Sequence, residues 1–159
     1  KIIKAVDIKT APFPGFPTDL QAPFSALMTI AEGTSKITET IFENRMNHIN
    51  LLNSMGASIT LDKNTAYING VKKLNGMDLV GSDLRSSAAL IIAALIAKDT
   101  SHIYGLDHLD RGYENFELKL SELGVQIKRE SKSKSKIIIK TENKKKLLPK
   151  INGSDFEAA

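Results

Sequence analysis

The chain has 159 residues, of which 42% are hydrophobic, 25% charged and 6% aromatic, and this composition excludes a disordered or collagen-like protein. It contains no cysteine, which excludes thiolate catalysis and cysteine-ligated zinc within these residues and suits a cytoplasmic location. The longest apolar run, at 88–97, has ten residues, half of the roughly 20 that a membrane span requires. We therefore expect neither a signal peptide nor a membrane partner.

The net charge of +4 is distributed unevenly. Residues 131–159 carry eight lysines against three acidic residues, whereas the remaining 130 residues carry 14 basic and 15 acidic side chains. The positive charge belongs to the C-terminal end and not to the body of the chain. Such a stretch is more often a solvated extension than a polyanion site, so we place a lysine-rich extension at 142–159 and expect no nucleic-acid partner. A basic nucleic-acid-binding protein is the weakest of the alternatives.

In chain order, the first half of the sequence predicts a strand at 6–9, a helix from 18 to about 31, a strand at 34–41, a helix ending at Gly56, and a hairpin of 57–61 with 65–68. Thr18 and Gln21 have the spacing of a capping box, and Pro23 then falls in the first turn of the helix.

The same order of elements recurs in the second half. Asp19-Leu20 is matched 64 residues later by Asp83-Leu84, and each pair precedes an apolar helix and then a strand. Arg45 corresponds to Arg111, each just before a second helix, and a second hairpin is predicted at 125–129 with 136–140. We predict a βαβαββ unit present about twice, at about 6–69 and 77–141.

The helix predicted at 85–97 has almost no polar face and must be buried on all sides. In an α/β protein, this places the helices in the middle with the sheets packed around them, the reverse of the usual layering. Two units would leave part of this helix surface exposed to water, so we expect a third unit to complete the core.

Polar residues gather at equivalent points of the two units, at predicted helix starts that favour anions. Three arginines, Arg45, Arg85 and Arg111, would bind a phosphate or carboxylate if the fold brought them together. A nearby aspartate could hold an arginine or accept a proton from a hydroxyl. A structural explanation remains open, in which each aspartate is a helix cap and each arginine its ion-pair partner.

Four motifs carry a family resemblance. They are FPTDLQ at 16–21, ETIFENR at 39–45, SDLR at 82–85 and LDRGYE at 109–114. In this order they closely resemble the UDP-N-acetylglucosamine 1-carboxyvinyltransferase family, the enolpyruvyl transferases of the first committed step of peptidoglycan synthesis. The resemblance runs from about Val6 to Glu130.

The resemblance implies a two-domain enzyme made of inside-out α/β barrels, each of three βαβαββ units, with the active site in the cleft between them. Residues 1–141 resemble the C-terminal part of the second barrel, with about two of its three units. The implied reaction adds the 3-hydroxyl of UDP-N-acetylglucosamine to phosphoenolpyruvate and then releases phosphate.

The resemblance also implies the site residues. Asp19 corresponds to the family's proposed base, Ile41 lies where a backbone group contacts the UDP-sugar, and Phe42 lies beside it. Residues around the phosphoenolpyruvate and phosphate end correspond to Arg45, Asp83, Arg85 and Arg111.

Parts of the family pattern lie outside this sequence. The family's acid, a cysteine on a mobile loop, and its Lys-Asn pair belong to an N-terminal domain, which we expect as the partner of this chain. We expect no turnover by the chain alone, and no metal or organic cofactor is implied. The main alternative is a non-catalytic module of the same fold that binds a nucleotide sugar or a protein.

Overall fold

The computed structural model describes residues 2–130 and 135–141. In the first half the elements are β1 (Ile8–Lys9), a 3₁₀ helix (Thr18–Leu20), α1 (Gln21–Met28), β2 (Thr34–Thr38), α2 (His48–Ser54), β3 (Ser58–Asp62) and β4 (Thr65–Asn69). In the second half they are β5 (Leu74–Asn75), β6 (Asp78–Val80), α3 (Leu84–Ile96), β7 (Ala97–Lys98), β8 (Ser101–Tyr104), α4 (Leu106–Leu109), α5 (Phe116–Glu122), β9 (Ile127–Glu130) and β10 (Lys136–Ile139).

The strands form two four-stranded sheets and one two-stranded sheet. The first sheet has the order β1-β2-β4-β3 and the second has the order β6-β8-β10-β9, while β5 pairs with β7. In each four-stranded sheet the first pair is parallel and the other two pairs are antiparallel. Both predicted hairpins are confirmed. No sheet closes on itself within the described residues.

Helices α1 and α3 pack against each other between the two larger sheets. Helix α1 contacts β2 and β4, α3 contacts β8 and β10, and α1 packs against α3. Eight residues of α3 are buried, and Ile92, Leu95 and Ile96 are half-buried against the core. The prediction of a buried apolar helix is confirmed for α3. Small side chains such as Ala89 and Ala93 let α3 pack closely.

The predicted capping box of the first helix is wrong. Thr18 lies in the 3₁₀ helix, and its hydroxyl donates a hydrogen bond to Glu39 instead of capping α1. Helix α1 also ends earlier than predicted, at Met28. The chain instead has a capping box at α3, where Asp83 accepts from the backbone N–H of Ser86 and the Ser86 hydroxyl accepts from that of Asp83. Thr18 is not the N-cap residue because the 3₁₀ helix places it before Leu20, and its hydroxyl accepts from Arg45.

The longest helix of the described residues is α3, with 13 residues, and none of the described helices is both long and apolar enough to cross a bilayer. The predicted extension at 142–159 lies outside the described residues, as does the segment at 131–134 that joins β9 to β10.

Candidate functional site

Asp19 and two arginines meet at one end of α1 and α3. Oδ1 of Asp19 accepts a hydrogen bond from Nε of Arg85 at 2.7 Å, and an Nη atom of Arg45 lies 3.4 Å from the same oxygen. The Asp19 side chain is 69% exposed, whereas the side chains of Arg45 and Arg85 are 18% and 28% exposed. In the described part of the chain no hydrogen bond reaches Oδ2 of Asp19. One carboxylate oxygen therefore holds the arginines, and the other is available to a ligand.

Asp83 borders the same site but is a helix cap. Its Oδ1 accepts hydrogen bonds from the backbone N–H groups of Arg85 at 2.9 Å and Ser86 at 3.0 Å. Burial raises the pKa of Asp83, but hydrogen bonds from Ser86, Arg85 and Ser82 outweigh burial, and the net pKa is lowered. Asp83 is therefore a fixed anion beside Arg85.

The guanidinium of Arg45 lies over the ring of Phe42, with its central carbon 3.6 Å from the ring centroid. The hydroxyl of Thr18 accepts a hydrogen bond from Arg45 at 3.0 Å. Burial is the largest cause that lowers the pKa of Arg45, followed by the neighbouring charge of Arg85, while Asp19 partly offsets both. The Arg45 side chain is thus held by a stacking contact, a hydrogen bond and an ion pair.

Glu39 lies behind this cluster and is 1% exposed. Its Oε1 accepts from the hydroxyl of Thr10 at 2.9 Å and from the backbone N–H groups of Ile41 at 2.8 Å and Phe42 at 3.2 Å. Its Oε2 accepts from the hydroxyl of Thr18 at 2.7 Å. Burial raises the pKa of Glu39, but these four hydrogen bonds outweigh burial, so the net pKa is lowered and the buried carboxylate stays ionised.

Two cavities border the stacked pair of Arg45 and Phe42, one lined by Arg45 and the other by Phe42. The first, about 230 Å³, is lined by residues that include Arg45, Asp83, Arg85 and His48. His48 is 2% exposed, its Nε2 has no hydrogen-bond partner in the described residues, and burial lowers its pKa to about 4. His48 is therefore a neutral imidazole at pH 7 and adds no charge to this cavity.

The second cavity, about 510 Å³, is lined by residues that include Ile41, Phe42, Lys63 and Asn64. Since the Ile41 and Phe42 N–H groups donate to Glu39, their carbonyl oxygens are the backbone groups of this turn that remain for a ligand. No hydrogen bond from a described residue reaches either oxygen.

Arg111 does not belong to the hydrogen-bonded cluster of Asp19, Arg45 and Arg85. It is exposed in the turn that follows α4, and it forms no hydrogen bond or ion pair with any described residue. The next residue, Gly112, lies against Leu84 at the start of α3, where an added Cβ would be 2.9 Å from a Leu84 methyl group. The fold therefore brings the backbone of this turn next to the site, while the Arg111 side chain remains free.

Of the seven site residues predicted from the sequence, the fold brings Asp19, Arg45 and Arg85 into direct contact. It places Asp83 and Phe42 beside them, with Ile41 in the adjoining turn. The sequence analysis missed the roles of Thr18, Glu39 and His48. A signal was present for Glu39, because it follows Ser35 and Ile37 at the alternating inward positions of β2, where a carboxylate needs buried donors.

The fold and the site define a family. The model of the EPSP synthase (3-phosphoshikimate 1-carboxyvinyltransferase) family matches residues 1–120, and the chain belongs to this family. Among solved structures, the enolpyruvyl transferase NikO from Streptomyces tendae is 28% identical, with a TM-score of 0.71 over 78% of this chain and 29% of that chain. An EPSP synthase from Acinetobacter baumannii shares the fold at 18% identity, with a TM-score of 0.63 over 86% of this chain and 30% of that one.

A curated relative has a much higher sequence identity than these solved structures. The chain is 80% identical over 128 residues to the UDP-N-acetylglucosamine 1-carboxyvinyltransferase of Prochlorococcus marinus subsp. pastoris strain MED4. That match covers 80% of this chain and 28% of the relative, so the chain spans less than a third of the relative's length. The resemblance stated from the four motifs is confirmed.

Proposed function

We propose that the chain is part of a cytoplasmic enolpyruvyl transferase that moves the enolpyruvyl group of phosphoenolpyruvate to the 3-hydroxyl of UDP-N-acetylglucosamine and releases phosphate. This is the first committed step of peptidoglycan synthesis. The observation that carries the proposal is the contact of Asp19 with both Arg45 and Arg85, which are far apart in the sequence. The name of the Prochlorococcus relative supports it.

In the proposed reaction, the sugar hydroxyl oxygen bonds to C2 of phosphoenolpyruvate and a proton adds to C3. The C2–O bond to phosphate then breaks and C3 loses a proton, which restores the double bond. Asp19 is proposed as the base, acting on the sugar hydroxyl or on the methyl group of the intermediate. Its free Oδ2 and its exposure suit this role.

The arginines are proposed to bind the anionic end of phosphoenolpyruvate. A guanidinium binds phosphate or carboxylate through two parallel hydrogen bonds, and the contacts of Arg45 and Arg85 with Asp19 hold both groups ready. The exposed side chain of Arg111, on the turn next to α3, is proposed to bind the phosphate. Asp83 caps the N-terminus of α3 and so fixes the start of that helix. The carbonyl group of Ile41 is proposed to contact the UDP-sugar beside Phe42.

The charge balance of this site points to a partner domain. Two arginines, Arg45 and Arg85, lie among the carboxylates of Asp19, Asp83 and Glu39, so these five side chains supply no net positive charge. A substrate with a phosphate and a carboxylate needs further cations. We infer that an N-terminal domain supplies them, together with the acid, and that the chain alone does not turn over.

The architecture is proposed to be an incomplete inside-out barrel. Each four-stranded sheet with its helices is one βαβαββ unit, at about 6–69 and 77–141. A third unit would cover the half-buried residues of α3, namely Ile92, Leu95 and Ile96.

The test uses a full-length chimera in which this chain replaces the corresponding segment of the Prochlorococcus relative. We expect phosphate release from phosphoenolpyruvate only when UDP-N-acetylglucosamine is present. Asp19→Asn, which keeps the shape and removes the base, is expected to lower kcat by about 100-fold or more. Asp62→Asn, a matched change at an exposed position of β3, serves as the control. Equal rates for Asp19→Asn and Asp62→Asn would contradict the role of Asp19, and release without the sugar would contradict the function.

A further inference from the structure

Glu39 connects the two segments that carry the first-unit site residues. It follows β2 at a buried position, while Thr18 precedes α1 and the turn at 40–45 carries Arg45. Its two oxygens accept four hydrogen bonds, two from threonine hydroxyls and two from backbone N–H groups. A buried carboxylate with four donors is costly to desolvate and is stable only because every bond is made.

The direction of each hydrogen bond in this network is fixed. An ionised carboxylate can only accept, so the Thr18 hydroxyl must donate its proton to Glu39. An arginine can only donate, so the Arg45 guanidinium uses a lone pair of the same hydroxyl. The chain of contacts from Glu39 through Thr18 to Arg45 therefore depends on the negative charge of Glu39.

The two backbone donors set the shape of the adjoining turn. Because the N–H groups of Ile41 and Phe42 both point to Oε1 of Glu39, the turn is fixed where the Phe42 ring supports Arg45. Thr10 also holds this turn, since its hydroxyl donates a hydrogen bond to Glu39 and accepts one from the backbone N–H of Thr40 at 2.8 Å.

We propose that Glu39 is a positioning residue for the transfer reaction: through the Thr18 hydroxyl and the turn at 41–42 it holds Arg45 in the orientation that binds phosphoenolpyruvate. The Glu39 side chain is buried, and both of its oxygens accept hydrogen bonds from the protein. The proposal rests on the proposed function, because it assigns Glu39 an effect on the same site.

The variant that tests it is Glu39→Gln in the full-length chimera. An amide has nearly the same shape, but its NH₂ group facing Thr18 would donate, so the Thr18 hydroxyl could no longer donate there. The Thr18 hydroxyl would then accept from both the amide and Arg45, its own proton would lose the carboxylate acceptor, and the contact with Arg45 would be weakened. We expect the KM for phosphoenolpyruvate to rise about tenfold or more, with a much smaller change in the KM for UDP-N-acetylglucosamine.

Matched variants separate positioning from folding. Glu32→Gln removes an exposed carboxylate whose one ion-pair partner among the described residues is Lys4, and it is the control for the lost charge. Thr18→Val removes the relay while leaving three of the four hydrogen bonds to Glu39, and Thr18→Ser keeps the hydroxyl. We expect Thr18→Val to reproduce the KM effect of Glu39→Gln and Thr18→Ser to restore the unsubstituted value. If Glu39→Gln and Thr18→Val both leave the KM for phosphoenolpyruvate unchanged, the proposal is wrong.

Two further measurements identify the residue through which Glu39 acts. In a double-mutant cycle with Arg45→Lys, Glu39→Gln should add little to the KM effect, whereas additive effects would indicate general damage to the fold. The NMR signals of the Arg45 guanidinium should show slowed rotation in the unsubstituted chimera and fast rotation in Glu39→Gln. This NMR signal does not depend on turnover. If a chimera without transferase activity still shows faster Arg45 rotation in Glu39→Gln, only the proposed function is wrong. If the rotation of Arg45 is unchanged in Glu39→Gln, the positioning role is wrong.

Discussion

Two aspartates that occupy equivalent sequence positions have different roles. Asp83 caps α3 with its carboxylate, as a helix-start aspartate usually does. Asp19 makes no cap and lies exposed between two arginines, because the 3₁₀ turn before α1 points its side chain to Arg85. The structural explanation left open by the sequence thus holds for the cap at Asp83. At Asp19 the ion pairs join residues from the two halves of the chain, so Asp19 is not a local cap.

At the scale of single residues, the buried His48 is expected to make the stability of the fold depend on pH. Burial lowers its pKa from 6.5 to about 4, so the folded state binds fewer protons than the unfolded state between these values. The stability associated with the neutral imidazole is complete above about pH 6.5 and is lost as the pH falls towards 4. At pH 5 the loss is about 2 kcal/mol.

His48→Leu removes this titration. We expect the decrease in unfolding free energy between pH 7 and pH 5, measured by urea denaturation, to be about 2 kcal/mol smaller in the variant than in the unsubstituted chain. The carboxylates titrate equally in both proteins, so the difference isolates His48. Parallel pH profiles would show that His48 becomes protonated in the folded state without cost.

At the scale of elements, one arginine connects the turn of Arg111 to the second sheet. Arg129 on β9 forms two hydrogen bonds with Asp110, one of them 2.9 Å long, and lies 3.5 Å from Glu117 on α5. The hydrogen bond from Arg129 to Asp110 is the main cause that raises the pKa of Arg129. Glu117 is 12% exposed, and its Oε2 has no hydrogen-bond partner in the described residues. The arginine therefore supports both the turn and the start of α5.

Arg129→Met is expected to lower the unfolding free energy by about 2 kcal/mol, because it leaves Glu117 in a partly buried place without its cation. Lys128→Met provides the comparison, since Lys128 is the neighbouring residue, is 74% exposed and pairs with Glu130 at 3.5 Å. We expect a change within about 0.5 kcal/mol for that variant. Hydrogen exchange of α5 should accelerate only in Arg129→Met, and a comparable effect of both substitutions would contradict this role.

At the scale of the whole molecule, the contact of α1 with α3 joins the two sheets. The core lies along α3, where Ala88, Ala89, Ala93 and Ala94 are at most 1% exposed. Small side chains let the helices approach closely, so the space between the sheets is already filled. Asp19 directly precedes α1 and Arg85 lies in the first turn of α3, so the geometry of this contact sets the separation of these two side chains.

Ala89→Leu tests this packing. Three added carbon atoms have no space beside α3, so we expect a loss of about 2 kcal/mol in unfolding free energy. Val80→Leu enlarges a side chain that is 62% exposed and should change stability by no more than about 0.5 kcal/mol. Thermal unfolding of both variants checks the comparison, and a stable Ala89→Leu protein would show that the helix contact has spare volume.

Much of the fold was predictable from local patterns. The alternation of apolar and polar residues predicted the two hairpins, and the apolar run at 85–97 predicted the buried helix. Both patterns depend only on which side chains face water. The capping box at Thr18 was wrong because its spacing was local, whereas its partner, Glu39, lies 21 residues away. Competition between a local cap and a distant buried carboxylate cannot be evaluated from spacing alone.

By itself the sequence determined the residue types of the site and the family to which they belong, since four motifs carry both. Only the tertiary structure decided which of these side chains meet: Asp19 contacts Arg45 and Arg85, Asp83 remains a cap, and Arg111 stands apart. It also revealed Glu39 behind them. Contacts between residues up to 66 positions apart depend on how helices and sheets pack, because packing fixes the few ångströms within which a hydrogen bond can form.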